Sequence, residues 1–373
     1  MANIPNNPWI EKKKELLKDT AVFRTTQSYN EETDDFSGVA EYLDRRPEQY
    51  LKAILTNQHK YVARREREGT LIEGLDYENM AKHVAEGTVV KELLGTQPMK
   101  TNDGKVYYFQ YRYEDNPELE GTGGRSMSLN VVASDVSTLT QKCKTGISVS
   151  CIKNLERNHK DWNAAKELEE IVASALVQEL DDRYIQKLID ISAKYPNFDF
   201  STIFQKKDPE QPAFIADRFS SVIINISKTA NDIARKTHRG PGNWILCSPM
   251  MVSVLQVSQH AVFAPALKGS FKGPNCTMLV GKLNGSIDVY SYLPTYYDNT
   301  HTPIDKILIG YKGGSGELDG GLFYCPHTMV THGRKYKKDG EIILPFATKE
   351  ASFAAPNASD YYATFDVINL SFA

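Results

Sequence analysis

Nowhere in the 373-residue chain do 18 apolar residues run together, so no segment suits a membrane-spanning helix. The opening stretch, MANIPNNPWIEKKK, has no apolar core of the sort a secretory signal needs. A basic excess is missing too: 44 Lys and Arg stand against 47 Asp and Glu, a net charge of −3. A protein that grips nucleic acid by neutralising phosphates needs the opposite balance. Cysteine is scarce, and the five (Cys143, Cys151, Cys247, Cys276, Cys325) are scattered and odd in number. They fit reduced cytosolic thiols and do not fit a disulfide framework. There is no G-x-S-x-G, no H-E-x-x-H and no kinase-type set. The sequence therefore offers no catalytic residue, no metal ligand set and no cofactor site.

Gly and Pro are absent from one long stretch, residues 161–193. There Ala164, Leu168, Ile171, Val172, Ala175, Leu176, Leu180, Tyr184, Ile185, Leu188 and Ile189 recur at i, i+3, i+4, i+7. That spacing predicts one amphipathic helix, with Asp161 as N-cap and Pro196 as the stop. At ~1.5 Å per residue, about 30 residues make a rod of roughly 45 Å. Such a rod needs an equally long surface to lie against.

Residues 1–96 are polar and mainly helical in pattern, with little to fill a core, and read as an arm ordered by packing on something else. A small helical domain is the alternative. Residues 106–113, VYYFQYRY, and 129–140, LNVVASDVSTLT, are strand-like and flank a polar Gly-rich loop. They predict a protruding hairpin whose edges need a partner. Residues 147–158 read as a short helix. Beyond Pro196 the pattern predicts helices over 216–236 and 250–257. Strands are predicted over 244–247, 278–283, 286–290, 307–311, 322–324, 341–346 and 363–372. Helices and strands mix without a βαβ rhythm, so the class is α+β.

The segment from Gly310 to Gly321 invites a nucleotide-binding reading, but Lys312 precedes its glycines and a strand follows them. A phosphate loop needs Lys and Ser/Thr right after the last Gly, opening a helix. A mobile hairpin tip is the better fit. Cys325, His327 and His332 form the only metal-like group, and no fourth ligand accompanies them. Cys247 sits at a helix start, where thiols are activated, but Ile245 and Leu246 beside it argue for a structural thiol.

Five blocks carry a family likeness in order: 94–99 (LGTQPM), 147–158 leading into the long helix, 236–250 (KTHRGPGNWILCSPM), 280–290 (VGKLNGSIDVY) and 309–326 (IGYKGGSGELDGGLFYCP). Together they resemble the major capsid proteins of T-even-like tailed bacteriophages, the myoviruses, over roughly residues 90–330. The resemblance implies an HK-ninety-seven-type capsid fold. Its parts would be an N-terminal arm at 1–96, an E-loop with flanking strands at 97–146, and a peripheral domain at 147–215 with its spine helix at 161–193. An axial domain at 216–340 and C-terminal strands at 341–373 returning to the peripheral domain would complete it.

The implied function is self-assembly into hexamers and pentamers that form an icosahedral or prolate head around packaged dsDNA. A pentameric vertex protein or an encapsulin-type shell is the alternative, and a nucleotide-binding enzyme using the 310–321 loop a distant third. The chain's main partner would be itself, with scaffold, portal, vertex and decoration proteins as others. DNA would touch the inner face weakly and without specificity, no membrane would take part, and the location would be the virion, assembled in the host cytoplasm. Candidate inter-subunit contacts are Tyr107, Tyr108, Phe109, Tyr111, Arg112, Tyr113 and Arg125. Lys312, Gly313, Gly314 and Gly316 would form an axial tip.

Three departures matter. Some relatives cross-link through an E-loop lysine, and this chain has none between Lys105 and Lys142, so a non-covalent lattice is expected. T-even-like capsid proteins also lose an N-terminal segment to a protease that cuts after Leu/Ile-x-Glu. Leu71-Ile72-Glu73 fits that pattern, yet the arm is expected to be retained. The tail after Arg334 departs from the family pattern.

Overall fold

The structure, a computed structural model, describes residues 47–71, 75–115, 125–148, 164–200, 215–257, 263–265, 278–292, 305–313, 317–333, 336–338 and 341–369. Three helices come first: α1 (Pro47–Arg67), α2 (Tyr77–Gly87) and α3 (Val90–Leu93). The Asp76 side chain accepts from the N–H groups of Glu78 and Asn79, an N-cap that fixes where α2 begins.

The sequence predicts a core-poor arm here, and the described part of it, from residue 47 onward, is instead woven into the core. Ile54, Met80, Val84, Leu93 and Leu94 are buried in the same cluster as the long helix. Buried amides make up for the shortage of apolar groups. Asn57 donates to Met99 O at 2.7 Å. Gln58 donates to Val330 O at 2.8 Å and accepts from Val330 N–H at 3.2 Å. One side-chain amide thus pairs with a strand backbone as a neighbouring strand would.

The chain then enters β1 (Gly95–Thr96), β2 (Asp103–Asp115), β3 (Arg125–Ser137) and β4 (Leu139–Ser148). Ile147 and Ser148, expected in a short helix, extend β4; the rest of that stretch lies outside the described residues. The long helix follows as α4 (Ala164–Ile191), close to its predicted bounds. It is not a rod with a single stripe. Ala173 and Val177 join α2 in one cluster, while Tyr184 and Leu188 join the sheet that α4 underlies, and among the described side chains Lys166, Glu170 and Ile171 stay exposed. Emptying a site such as Leu180 would cost about 2–5 kcal/mol.

The remaining elements are β5 (Ala193–Lys194), β6 (Phe198–Asp199), α5 (Ile215–Thr237), β7 (Trp244–Cys247), α6 (Pro249–Val257), β8 (Phe263–Pro265), β9 (Met278–Leu283), β10 (Ile287–Ser291), β11 (Asp305–Gly310), β12 (Leu322–His332), β13 (Tyr336–Lys338), β14 (Glu341–Ala354) and β15 (Tyr362–Ile368). They form two large sheets. One runs β1-β12-β14-β13, with β4 also on β14. The other runs β5-β15-β11-β7-β10-β9-β8, with β6 also on β15. Its core is the apolar face of α5 (Val222, Ile226, Ala230, Ile233) against Ile245, Val289, Ile307, Ile309 and Phe365. The class is α+β, as the sequence predicts.

The sheets do not divide at residue 340 as expected. β12 belongs with β14, and β15 crosses back to pair with β11 from Asp305↔Val367 to Gly310↔Tyr362. Hydrogen-bond pairing across sequence-distant strands, which local pattern does not encode, draws the boundary.

One turn of α4 ties these parts together. Successive side chains on a helix point about 100° apart. Asp181 reaches the Thr88 hydroxyl at 2.6 Å, Asp182 the Tyr292 hydroxyl at 2.6 Å, Arg183 the Glu350 carboxylate at 2.5 Å, and Tyr184 the Ala351 carbonyl at 3.1 Å. Four consecutive residues thus hold the N-terminal helices, the β10 end of one sheet and the β14 strand of the other.

Candidate functional site

The β2–β3 hairpin pairs thirteen residues on each strand, from Asp103↔Ser137 to Asp115↔Arg125. At ~3.4 Å per residue such a ribbon is about 44 Å long. Among the described residues it pairs with no third strand. Its described anchors lie at the base. Gln97 donates to Tyr107 O at 2.6 Å and accepts from Tyr107 N–H at 3.0 Å, and Phe109 N–H donates to Leu318 O at 3.0 Å. Tyr108 is only 5% exposed, with its ring centroid 5.2 Å from that of Phe353 and 6.3 Å from that of Phe323. Strand alternation explains this: Val106 and Tyr108 share the face turned to the chain's own core, and Tyr107 and Phe109 take the other. Tyr108 is therefore a core residue and not the inter-subunit contact that the sequence suggests. Tyr107 and Phe109 are half-buried. Tyr111, Arg112, Tyr113 and Arg125 sit on the distal strands, opposite Leu129, Ser128, Met127 and Asp115, and their side chains lie outside what is described.

The Gly-rich segment is a second correction. An exposed tip is expected, but Gly313, Leu318 and Asp319 are buried at the junction of the two sheets. Lys312 donates from Nζ to Lys91 O at 2.5 Å, and its backbone N–H and C=O pair with the Asn243 side chain at 3.0 and 2.6 Å. Gly314 and Gly316 lie outside the described residues. The glycines answer to packing. A Cβ on Gly310 would come within 2.1 Å of the Trp244 ring, and one on Gly313 within 2.6 Å of Asp319. The Asp319 Oδ2 accepts from Arg239 Nε at 3.1 Å and Nη2 at 2.6 Å, tying the end of α5 to the start of β12. Glu317 accepts from Thr96 N–H at 2.5 Å, and burial pushes its carboxyl above the usual carboxylate range.

A profile of the family described as Major capsid protein Gp23 matches residues 116–364, two thirds of the chain and the greater part of both sheets. The chain belongs to the Gp23 major capsid protein family. It is 29% identical over 255 residues to the major capsid protein of Vibrio phage KVP40, covering 62% of this chain and 47% of that one. Against the major capsid protein of Enterobacteria phage T4 it is 26% identical over 250 residues, covering 63% of this chain and 45% of the relative. The chain thus spans about half the length of the curated relatives it matches. A virus-like particle from Pyrococcus furiosus superposes with a TM-score of 0.41 at 10% identity, over 77% of this chain and 95% of that one. At that score the family assignment rests on sequence alone.

In this Gp23-family chain the described thiols pack inside the fold. Cys143, Cys247 and Cys325 are free and buried, and burial lifts the thiols of Cys143 and Cys325 to about 12. A register shift between Pro326 and Thr328 breaks the alternation that would place Cys325 and His327 on one face. Cys325 joins the core, while His327, half-buried, has its pKa lowered to about 4 by burial and by Lys349 and Lys60. No helix among the described residues is long and apolar enough to cross a membrane.

Exposed apolar groups are what sequence reading misses: Ile224 is 68% exposed, Ile171 65%, Leu139 63% and Met250 52%. A signal for one exists. Ile224 stands off the Val222–Ile226–Ala230–Ile233 stripe of α5, where an amphipathic helix should carry a polar residue.

Proposed function

We propose that this chain is a shell subunit. It self-assembles into hexamers and pentamers that tile an icosahedral or prolate head around dsDNA, in an HK-ninety-seven-type fold. The observation that carries this reading is family membership over residues 116–364. The geometry agrees with it. A long two-stranded ribbon that no third strand joins among the described residues is an aggregation hazard on a free monomer and a natural lattice contact on a shell subunit. Tyr107, Phe109, Tyr111, Tyr113, Arg112 and Arg125 are the ribbon's contacts in this reading. Ile224 and Met250 supply apolar anchors from the α5–α6 side. Individually modest contacts, repeated around a closed lattice, give a stable shell from reversible joints. The mild net acidity suits an inner wall that does not hold DNA tightly.

In the same reading the chain is no enzyme and takes no cofactor. The Lys312 ammonium is engaged by a backbone carbonyl and Gly313 is buried, which speaks against a phosphate cradle. Scaffold, portal, vertex and decoration proteins are its further partners in the virion. Negative-stain microscopy of purified chain tests the proposal. Rings, tubes or shells are expected; a small monomer that persists at high concentration overturns it.

A further inference from the structure

One edge of β12 is paired with β14 as far as His332↔Phe346. The other edge is covered in two ways. Along its first half the cover is backbone. β1 pairs with it in parallel, Gly95↔Phe323 and Thr96↔Tyr324, and the N–H groups of Gln97 and Met99 donate to Tyr324 O at 2.8 Å and Pro326 O at 2.9 Å. Along its second half no strand follows among the described residues, and side chains of α1 take over. Asn57 donates from Nδ2 to His327 O at 3.1 Å, and Gln58 exchanges two bonds with Val330. The Tyr61 hydroxyl accepts from His332 N–H at 3.0 Å.

A helix uses its own backbone groups internally, so it can satisfy a strand edge only through side chains. Tyr61 lies four positions after Asn57 and three after Gln58, which brings all three to one side of α1. Asn57 is 6% exposed and Gln58 is 0% exposed, although the turn before them, with Tyr50, Leu51 and Ile54, packs through apolar groups. Packing alone does not call for two buried amides. The unpaired backbone groups of β12 do.

Val330 shows what else this edge fits. Its N–H and its C=O both point at Gln58. In an antiparallel ladder, a residue with both groups on one side exchanges two bonds with the residue opposite. A twofold axis beside Val330 would set two copies of that residue opposite each other, donor to acceptor and acceptor to donor. The edge is thus complementary to itself, as a twofold contact requires. A helix laid along such an edge keeps it from pairing.

We propose that the edge of β12 around Val330 is a latent docking surface for a second copy of this chain, and that the 57–61 turn of α1 keeps it closed. The second copy adds its own β12 edge, by strand addition. This surface is separate from the ribbon. A wild-type chain that never assembles would sink the shell reading and leave this proposal standing.

Gln58→Glu in the full chain tests it. The substitution keeps the length of the side chain and sets a second acceptor against the Val330 carbonyl, which drives the turn off the edge. Sedimentation and amide hydrogen exchange are compared with wild type, below the concentration at which wild type forms larger particles. In dilute variant, exchange at Val330 is expected to rise about tenfold. With increasing concentration the variant is expected to form a dimer and the Val330 amide to become protected again, while wild type shows neither change. A folded variant that stays monomeric overturns the proposal. So does a dimer in which Val330 remains unprotected, because that contact lies elsewhere. Should Gln58→Glu not fold, Gln58→Met, which only withdraws the amide, is read in the same way.

Discussion

Arg183 donates to Glu350 at 2.5 Å across the seam between α4 and β14, with the Glu350 side chain only 3% exposed. Burial raises the Glu350 carboxyl, and Arg183 and Lys187 pull it back toward the charged form. A buried pair of this type is costly to break and cheap to replace. Arg183→Met alone strands the carboxylate, and chemical unfolding should show a loss of about 3–5 kcal/mol. Adding Glu350→Leu should recover most of that loss, because no charge is then left uncompensated.

Gly310→Ala is the sharpest packing test, since the new Cβ would lie 2.1 Å from the Trp244 ring. The strand cannot yield without breaking its pairing with both β7 and β15. Thermal unfolding should register at least the ~1–3 kcal/mol of an overpacked core. Gly285→Ala, in open space at a φ of 72°, should cost less.

Two tyrosines of β2 should separate folding from assembly. Tyr108→Ala empties a packed aromatic site and should cost the monomer about 3–5 kcal/mol. Tyr113→Ala, on the distal ribbon, should leave monomer unfolding unchanged and reduce the yield of assembled particles in sedimentation.

How much of this was legible in the sequence varies with the range of the interaction. The long helix, α5 and the β9–β10 hairpin with Asn284-Gly285 at its turn follow from spacing within a dozen residues, and each is found within a few residues of its predicted bounds. The burial of α1 and α2 is not visible that way. Gln58 meets Val330 across 272 positions, and no local pattern marks a polar side chain that will serve as a strand's partner. The Gly-rich segment misleads for a related reason. Glycine signals a loop when only neighbours are considered, but Gly310 and Gly313 are small because Trp244 and Asp319 come too close for a side chain. Of the ribbon, alternation alone places Tyr108 opposite in face to Tyr107, and which face is inward depends on Phe323 and Phe353, far along the chain.

Acid should act on the fold through His327, whose pKa is lowered from 6.5 to about 4. A depressed pKa means the folded chain resists protonation. Its stabilising contribution is present above pH 6.5 and is lost as pH falls toward 4. Melting temperature measured over that window should drop less steeply in His327→Gln than in the wild type.

Assembled particles run on denaturing gels should release monomer, because no lysine lies between Lys105 and Lys142 to cross-link the hairpin. A ladder of covalent multimers would contradict this.

The placement of β15 carries a consequence for biosynthesis. Ile307 and Ile309 pair with Phe365 and Ala363, which lie more than fifty residues further along the chain. While a ribosome is still delivering that interval, β11 presents an open, apolar edge to the cell. The nascent chain cannot seal this sheet piece by piece. Its completion waits for β15, and until then the edge is open to contact with neighbouring chains.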